Sequence, residues 1–197
     1  MKSFLAIVTL FSSLSAAYAQ ETVARPEALK AAFAVSADLA AMLDTPIPTD
    51  PDVKRPVAVH AGEHGLMILP ETKLSAAAIA KAGPEAISIG QLWLRKLAPQ
   101  AEGQVVEAAK LHVVTVNPEK GPTKVVLCAL GVRSAGDHQE LLVYGKGKEP
   151  LLHVPLTPAS ASQSNPIEVS ADGSGQVTLN IVGKYSATFT VGEAAQE

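Results

Sequence analysis

The chain has 197 residues, a formal net charge of −3 and 4% aromatic residues. Such a weak negative balance carries no electrostatic footprint of a nucleic-acid or anionic-membrane binder, and basic clusters such as Lys146-Gly-Lys148 do not extend into a face. The single cysteine, Cys128, excludes an internal disulfide, so the fold has to rely on packing and hydrogen bonds.

Met1-Lys2 is a short basic start, and an apolar segment follows from Phe4 to Ala16. Ala17-Tyr18-Ala19 supplies the small-x-small pattern that signal peptidase accepts. Residues 1–19 therefore read as a signal peptide, cleaved before Gln20, and the protein as exported, either periplasmic or secreted. Thr9, Ser12, Ser13 and Ser15 interrupt the apolar core. It falls short of the roughly 20 residues that cross a bilayer, so no stable transmembrane anchor is expected after cleavage.

Residues 20–55 read as a loose connector, a helix and a linker. The stretch PEALKAAFAVSADLAAMLD has strong helix formers, no glycine, and a proline suited to the first turn. Leu29, Phe33, Ala37, Ala40 and Leu43 approximate one apolar stripe, expected to pack on a sheet. TPIPTDPDVKRP then reads as a proline-rich linker.

From 56 to 192 short apolar runs recur between turn residues: VAVH, GLMIL, AISI, QLWL, AKLHVVTV, TKVVLCAL, ELLVYG, LLHVPL and IEVSA. Their number and spacing predict an all-β body with helical additions. One addition is LSAAAIAKAG, capped by Ser75 and stopped by Gly83-Pro84. Near the end, Val177, Leu179 and Ile181 share one side of a strand. After a turn at Gly183-Lys184, Tyr185, Ala187, Phe189 and Val191 share one side of the next. Ile167–Ala171 leads into them through DGSG, giving three antiparallel strands. Two sheets packing such faces together would form an antiparallel β-sandwich, with the N-terminal helix packed against or beside it. KVVLCAL reads as a central strand with Cys128 buried, and residues 193–197 as a flexible tail.

Chemistry concentrates in HAGEHGLM. With Ala61-Gly62-Glu63 as the turn of a hairpin, His60 and His64 stand on its two shoulders, and Glu63 or Met67 could assist. Imidazole with thioether suits copper, and two imidazoles with a carboxylate suit zinc or iron. The zinc-protease spacing HExxH is absent, as are a G-x-S-x-G elbow and a phosphate-wrapping glycine loop. In IGQLWLRKLAP, a strand would aim Trp93 and Arg95 to one side and Leu92 and Leu94 to the other. Trp93 is thus either a packing residue between sheet and helix or, with Arg95, a contact for an extracytoplasmic protein or a glycan. The sequence favours a non-catalytic exported binding or assembly protein without a cofactor. The alternative is a copper- or zinc-binding periplasmic protein built on His60, His64, Met67 and Glu63.

Overall fold

The computed structural model describes residues 21–39, 45–116 and 121–194. The leader, its cleavage site at Gln20, the Ala37, Ala40 and Leu43 side chains and residues 195–197 of the tail lie outside what is described. In chain order, β1 (Glu21–Thr22) leads into helix α1 (Arg25–Leu39), then β2 (Val57–Ala61) and β3 (His64–Pro70). The short α2 (Ala76–Ala80) precedes β4 (Ile87–Arg95), β5 (Leu97–Ala101) and β6 (Gln104–Val105). After a 3-10 turn at Ala108–Lys110 come β7 (His112–Val116), β8 (Thr123–Ala135), β9 (His138–Tyr144) and β10 (Pro150–Pro158). Then β11 (Ile167–Ala171), β12 (Gln176–Ile181) and β13 (Tyr185–Glu193) finish the domain.

The two-sheet sandwich expected from the alternation does not form. Ten strands instead run in one path, β1-β2-β3-β4-β8-β9-β10-β13-β12-β11, and curl into an open half-barrel. β5 and β6 attach through β13, and β7 lies along β8. The curl lets one continuous sheet do what two sheets would do. Val59, Leu66, Leu92, Leu94, Cys128 and Leu130 from its first half meet Ile167, Val177, Leu179 and Phe189 from its second in a single concave core. Right-handed strand twist accumulates across a wide sheet and favours such curling.

β8 is the spine. It pairs with β4 along one edge; its other edge takes β7 first and β9 afterwards. Both its faces are covered, since Val126, Cys128, Leu130 and Val132 point into the concave core while Val125, Leu127 and Ala129 lie in convex-side clusters. That two-sided burial is why its sequence is an unbroken apolar run. Cys128 is fully buried, and desolvation pushes its thiol up to about 12. It acts as a small hydrophobe.

In β4 the register slips between Ser88 and Gly90, a bulge that resets the alternation. Ile89 and Leu92 both reach the concave core as a result, although three positions apart. Gly90 sits at φ 145°, and a Cβ there would drive into the Leu69 carbonyl oxygen.

On the convex side, α1 lays Ala28, Ala32 and Val35 over Met67, Leu69, Trp93, Val114 and Leu127. The stripe therefore runs one step away from the expected one, and Phe33 is 53% exposed. The proline-rich stretch is laced to the sheet. Ile47 packs on Ala129, Leu142 and Tyr144, while Asp52 N–H donates to the Pro70 carbonyl at 2.7 Å. α2 has Ser75 as its cap, accepting from Ala78 N–H at 3.2 Å, and buries Ile79. The last three strands pair as expected, with Ile181 opposite Tyr185 and Val177 opposite Phe189. No helix among the described residues is long and apolar enough to cross a membrane.

Further along the convex face Glu140 is 8% exposed. Arg133 Nε donates to its Oε1 at 2.6 Å, and His153 Nδ1 lies 3.3 Å from its Oε2. Burial pulls this carboxyl upward, but the bonds and charges of Arg133 and His153 outweigh it and hold the group below its ordinary value. A carboxylate with a lowered folded-state pKa stabilises above its unfolded value and loses that contribution as pH falls through the folded one.

Two outcomes follow. Gly90→Ala should destabilise by more than about 2 kcal/mol in urea melts, combining a left-hand-side φ with a backbone clash. Gly62→Ala, at φ 58° with nothing within 4 Å of its Cβ, should lose only about 1 kcal/mol; equal losses would contradict the packing described. Glu140→Gln should weaken the fold at neutral pH by about 1–2 kcal/mol. Its stability should then fall less steeply than the parent's below the ordinary carboxyl range, and parallel acid limbs would remove Glu140 from that role.

Candidate functional site

β4 ends at Arg95, and Lys96 adopts φ 58°, an uncommon left-handed conformation for a side-chain-bearing residue. That corner throws the chain back as β5, which pairs with the end of β13 through Leu97–Glu193 and Pro99–Val191. β5 and β6 close into a hairpin whose register sets Gln100 opposite Val105. From there the 3-10 turn carries the chain to β7 on the edge of β8. The β5–β6 hairpin and this connection thus face the β4-β8-β7 part of the sheet at one end of the half-barrel.

A cleft of about 1070 Å³ lies between them. Leu94 of β4, Val126 of β8 and Val113 of β7 line the sheet side; Leu97, Val105 and Val106 line the other. Val113 pairs with Val126, so it shares the concave face. Its side chain is nevertheless 47% exposed, one of two large hydrophobic residues so exposed among those described. Among the described residues no Phe, Tyr or Trp lines the cleft, and His112 is its one ring-bearing residue. Lys96, Lys124 and Lys146 stand around it with Glu107 and Glu193. A second cleft of about 610 Å³ flanks the same β6–β7 connection and shares Val105, Val106 and Lys146.

The HAGEHGLM hairpin sits at this same end. Its turn is only two residues, Gly62 and Glu63, because Ala61 pairs with His64. Gly62 at φ 58° followed by a residue with ordinary φ fits a type II′ turn, a favoured two-residue connection. His60 consequently pairs with Gly65 and lies on the convex side with Met67, whereas His64 follows the parity of Leu66 and lies on the concave side. The register thus puts the two histidines on opposite faces of the hairpin, although both border the small cleft beside it. His60 Nε2 is 3.7 Å from Glu21 Oε2 across β1, and Met67 is buried beneath α1. Glu63 instead reaches Lys96 Nζ at 2.5 Å, tying the hairpin tip to the β4–β5 corner. That hydrogen bond, followed by the lysine charge, lowers the Glu63 pKa. Among the described residues no group of three or more His, Cys, Asp or Glu is arranged to hold a metal ion. A small cleft of about 290 Å³ separates the hairpin from the DGSG turn, where Asp172 Oδ1 accepts from the N–H groups of Ser174 and Gln176.

Trp93 and Arg95 do share the convex side, as the strand reading expects. Trp93 is only 3% exposed: its Nε1–H donates to Gln91 Oε1 at 3.1 Å, and Gln91 Nε2 donates to Thr49 Oγ1 at 2.8 Å. The indole is packed between sheet and helix with its polar atom satisfied. Arg95 is exposed and lies across Gly65, its Nη2 3.5 Å from the Gly62 carbonyl oxygen.

Leu97, Val105, Val106, Val113, Lys124 and Lys146 escaped the sequence reading. HVVTV did carry a signal, since Val113 and Val114 place apolar groups on both faces of one strand. Comparison with known proteins gave no matching family model, no matching curated protein and no matching solved structure.

Proposed function

We propose that this chain is a non-catalytic, exported binding protein that takes an apolar small molecule into the cleft at the end of its half-barrel. Export rests on the basic start, the apolar segment and Ala17-Tyr18-Ala19 at the N-terminus. The binding reading rests on one observation: in the aliphatic lining of the cleft Val113 is half exposed, with the buried Leu94 and Val126 behind it. Water against such a wall is displaced favourably by an apolar chain, at roughly 25 cal/mol per Å² buried. The volume, about 1070 Å³, lies just above the roughly 300–1,000 Å³ typical of small-ligand sites. A protein partner would need a broad face of roughly 800 Å² instead, and the exposed apolar surface here is recessed.

The lining supports an aliphatic ligand over a sugar, because among the described residues it offers no Phe, Tyr or Trp face on which a pyranose could stack. Copper or zinc at His60, His64, Met67 and Glu63 draws no support from a register that separates the two imidazoles.

Methyl-resolved NMR titration of the purified protein with 1-decanol tests the reading. Val113, Val126, Leu94 and Val105 methyls should shift in a saturable manner. Val113→Asp, at an exposed position where the fold tolerates a charge, should weaken binding at least about tenfold by placing an unpaired carboxylate in the apolar wall. Absence of saturable shifts at these methyls, or equal binding by the variant, would overturn it.

A further inference from the structure

We propose that the connection from β6 to β7 is a strap that closes over the ligand of the large cleft by unwinding its 3-10 turn; this rests on the binding reading above and adds the movement that completes the site. Two anchors hold the segment. At its start the Val106 N–H donates to the Pro99 carbonyl at 2.9 Å, and Val105 and Val106 pack against the concave core. At its end the Lys146 N–H donates to the Lys110 carbonyl at 2.9 Å, and Leu111 is buried. This second anchor needs a glycine, because a Cβ at Gly145 would drive into the same Lys110 carbonyl oxygen. Between the anchors the hold is slight. None of Glu107, Ala108, Ala109 and Lys110 is buried, and no side chain caps the turn. Its backbone bonds among the described residues are local, from Lys110 N–H to Glu107 and from Leu111 N–H to Ala108, both at 3.0 Å.

The span also has room on both sides. Val106, Glu107 and Ala109 border the cleft of about 1070 Å³ and its neighbour of about 610 Å³ alike. A backbone segment with few buried contacts and exposed hydrogen bonds opens at low cost. Three residues of 3-10 helix cover about 6 Å, and the same three extended cover about 10 Å, so unwinding supplies slack while both anchors hold. That slack lets Ala108 and Ala109 arch toward Val113, whose side chain is left half exposed in the facing wall. An aliphatic ligand on Val113 drives the movement, since the two alanine methyls bury against it only in the closed form. A ligand shifts an equilibrium by such differential contacts; without them, the two hydrogen bonds of the turn favour the wound form.

Lys110→Pro tests the movement by favouring the unwound form. It removes the N–H that donates to Glu107 and pushes Ala109 toward an extended backbone, while the carbonyl that accepts from Lys146 remains. Lys110 is exposed and borders only the smaller of the two clefts, so the substitution adds no apolar surface to the large one. The variant should bind 1-decanol about three- to tenfold more tightly than Lys110→Gln, because the turn no longer has to be broken. In the unsubstituted protein, saturation with 1-decanol should move the Cα and carbonyl carbon shifts of Ala108 and Ala109 toward extended values. Two results leave the apolar cleft in place and overturn the strap: Lys110→Pro binding no more tightly than Lys110→Gln, or ligand shifts at the Val113 and Val126 methyls with those carbons unmoved. Without saturable shifts at the Val113 and Val126 methyls the binding reading fails, and the closure fails with it.

Discussion

The constraint on which this molecule depends is that one sheet is apolar on both faces and has to bury both. The inner face is solved by curling. A residue such as Leu92 in β4 and one such as Leu179 in β12 become neighbours in a single core because the strand path returns on itself. Twist alone does not bring a sheet round so far, and the bulge at Gly90 is one device that bends it, at a position where only glycine admits the Leu69 carbonyl. The outer face is solved by borrowing. α1 and Ile47 of the proline-rich stretch supply small apolar groups that a short, thin cover can provide, and the buried indole of Trp93 finds its hydrogen bond within the sheet through Gln91.

These two solutions explain where the cleft lies. The convex face is occupied in the region of Trp93, and the middle of the concave face is filled by side chains from opposite halves of the sheet. Only at the end does filling stop, because β5 leaves the path of β4 at Lys96 and crosses to β13. The β6–β7 connection then spans the gap with Val106 and with Ala108 and Ala109 of the 3-10 turn, small side chains opposite the wall of Val113 and Val126. Lys96 is held in an uncommon backbone conformation at that corner, and its tie to Glu63 fastens the corner to the hairpin tip. The opening is thus a product of how the chain changes layers.

Much of this was legible in the sequence. Period-two alternation located β12 and β13 and their buried sides, the two-sided apolar run identified β8, and Ser75 marked the start of α2. Sandwich and half-barrel are different matters, because an alternating strand states only that one side is covered. It does not state whether the cover belongs to another sheet or to the far end of the same one. β5 and β6 were invisible for a local reason. LAPQAEGQV has few branched or aromatic residues and a proline inside it, yet Pro99 is tolerated where β5 meets the end of β13. The α1 stripe was misplaced because alanine is weakly informative: Ala28 and Ala32 are buried, while Phe33, the larger apolar residue, points away.

The histidine hairpin gives the sharpest case of information that a sequence withholds. A three-residue turn, Ala61 to Glu63, would set His60 directly opposite His64 with both rings on one face. A two-residue turn moves the pairing by one position and sends the rings to opposite faces, since a shift of one residue inverts every side chain of a strand. Composition does not distinguish the two lengths, because Gly62 serves either. The backbone preference for the tighter connection does, through a left-handed φ at Gly62 that matches the twist of the flanking strands. Turn length therefore decides that Glu63 serves the rim of an apolar cleft through Lys96, and that His60 and His64 stand on opposite faces of their hairpin.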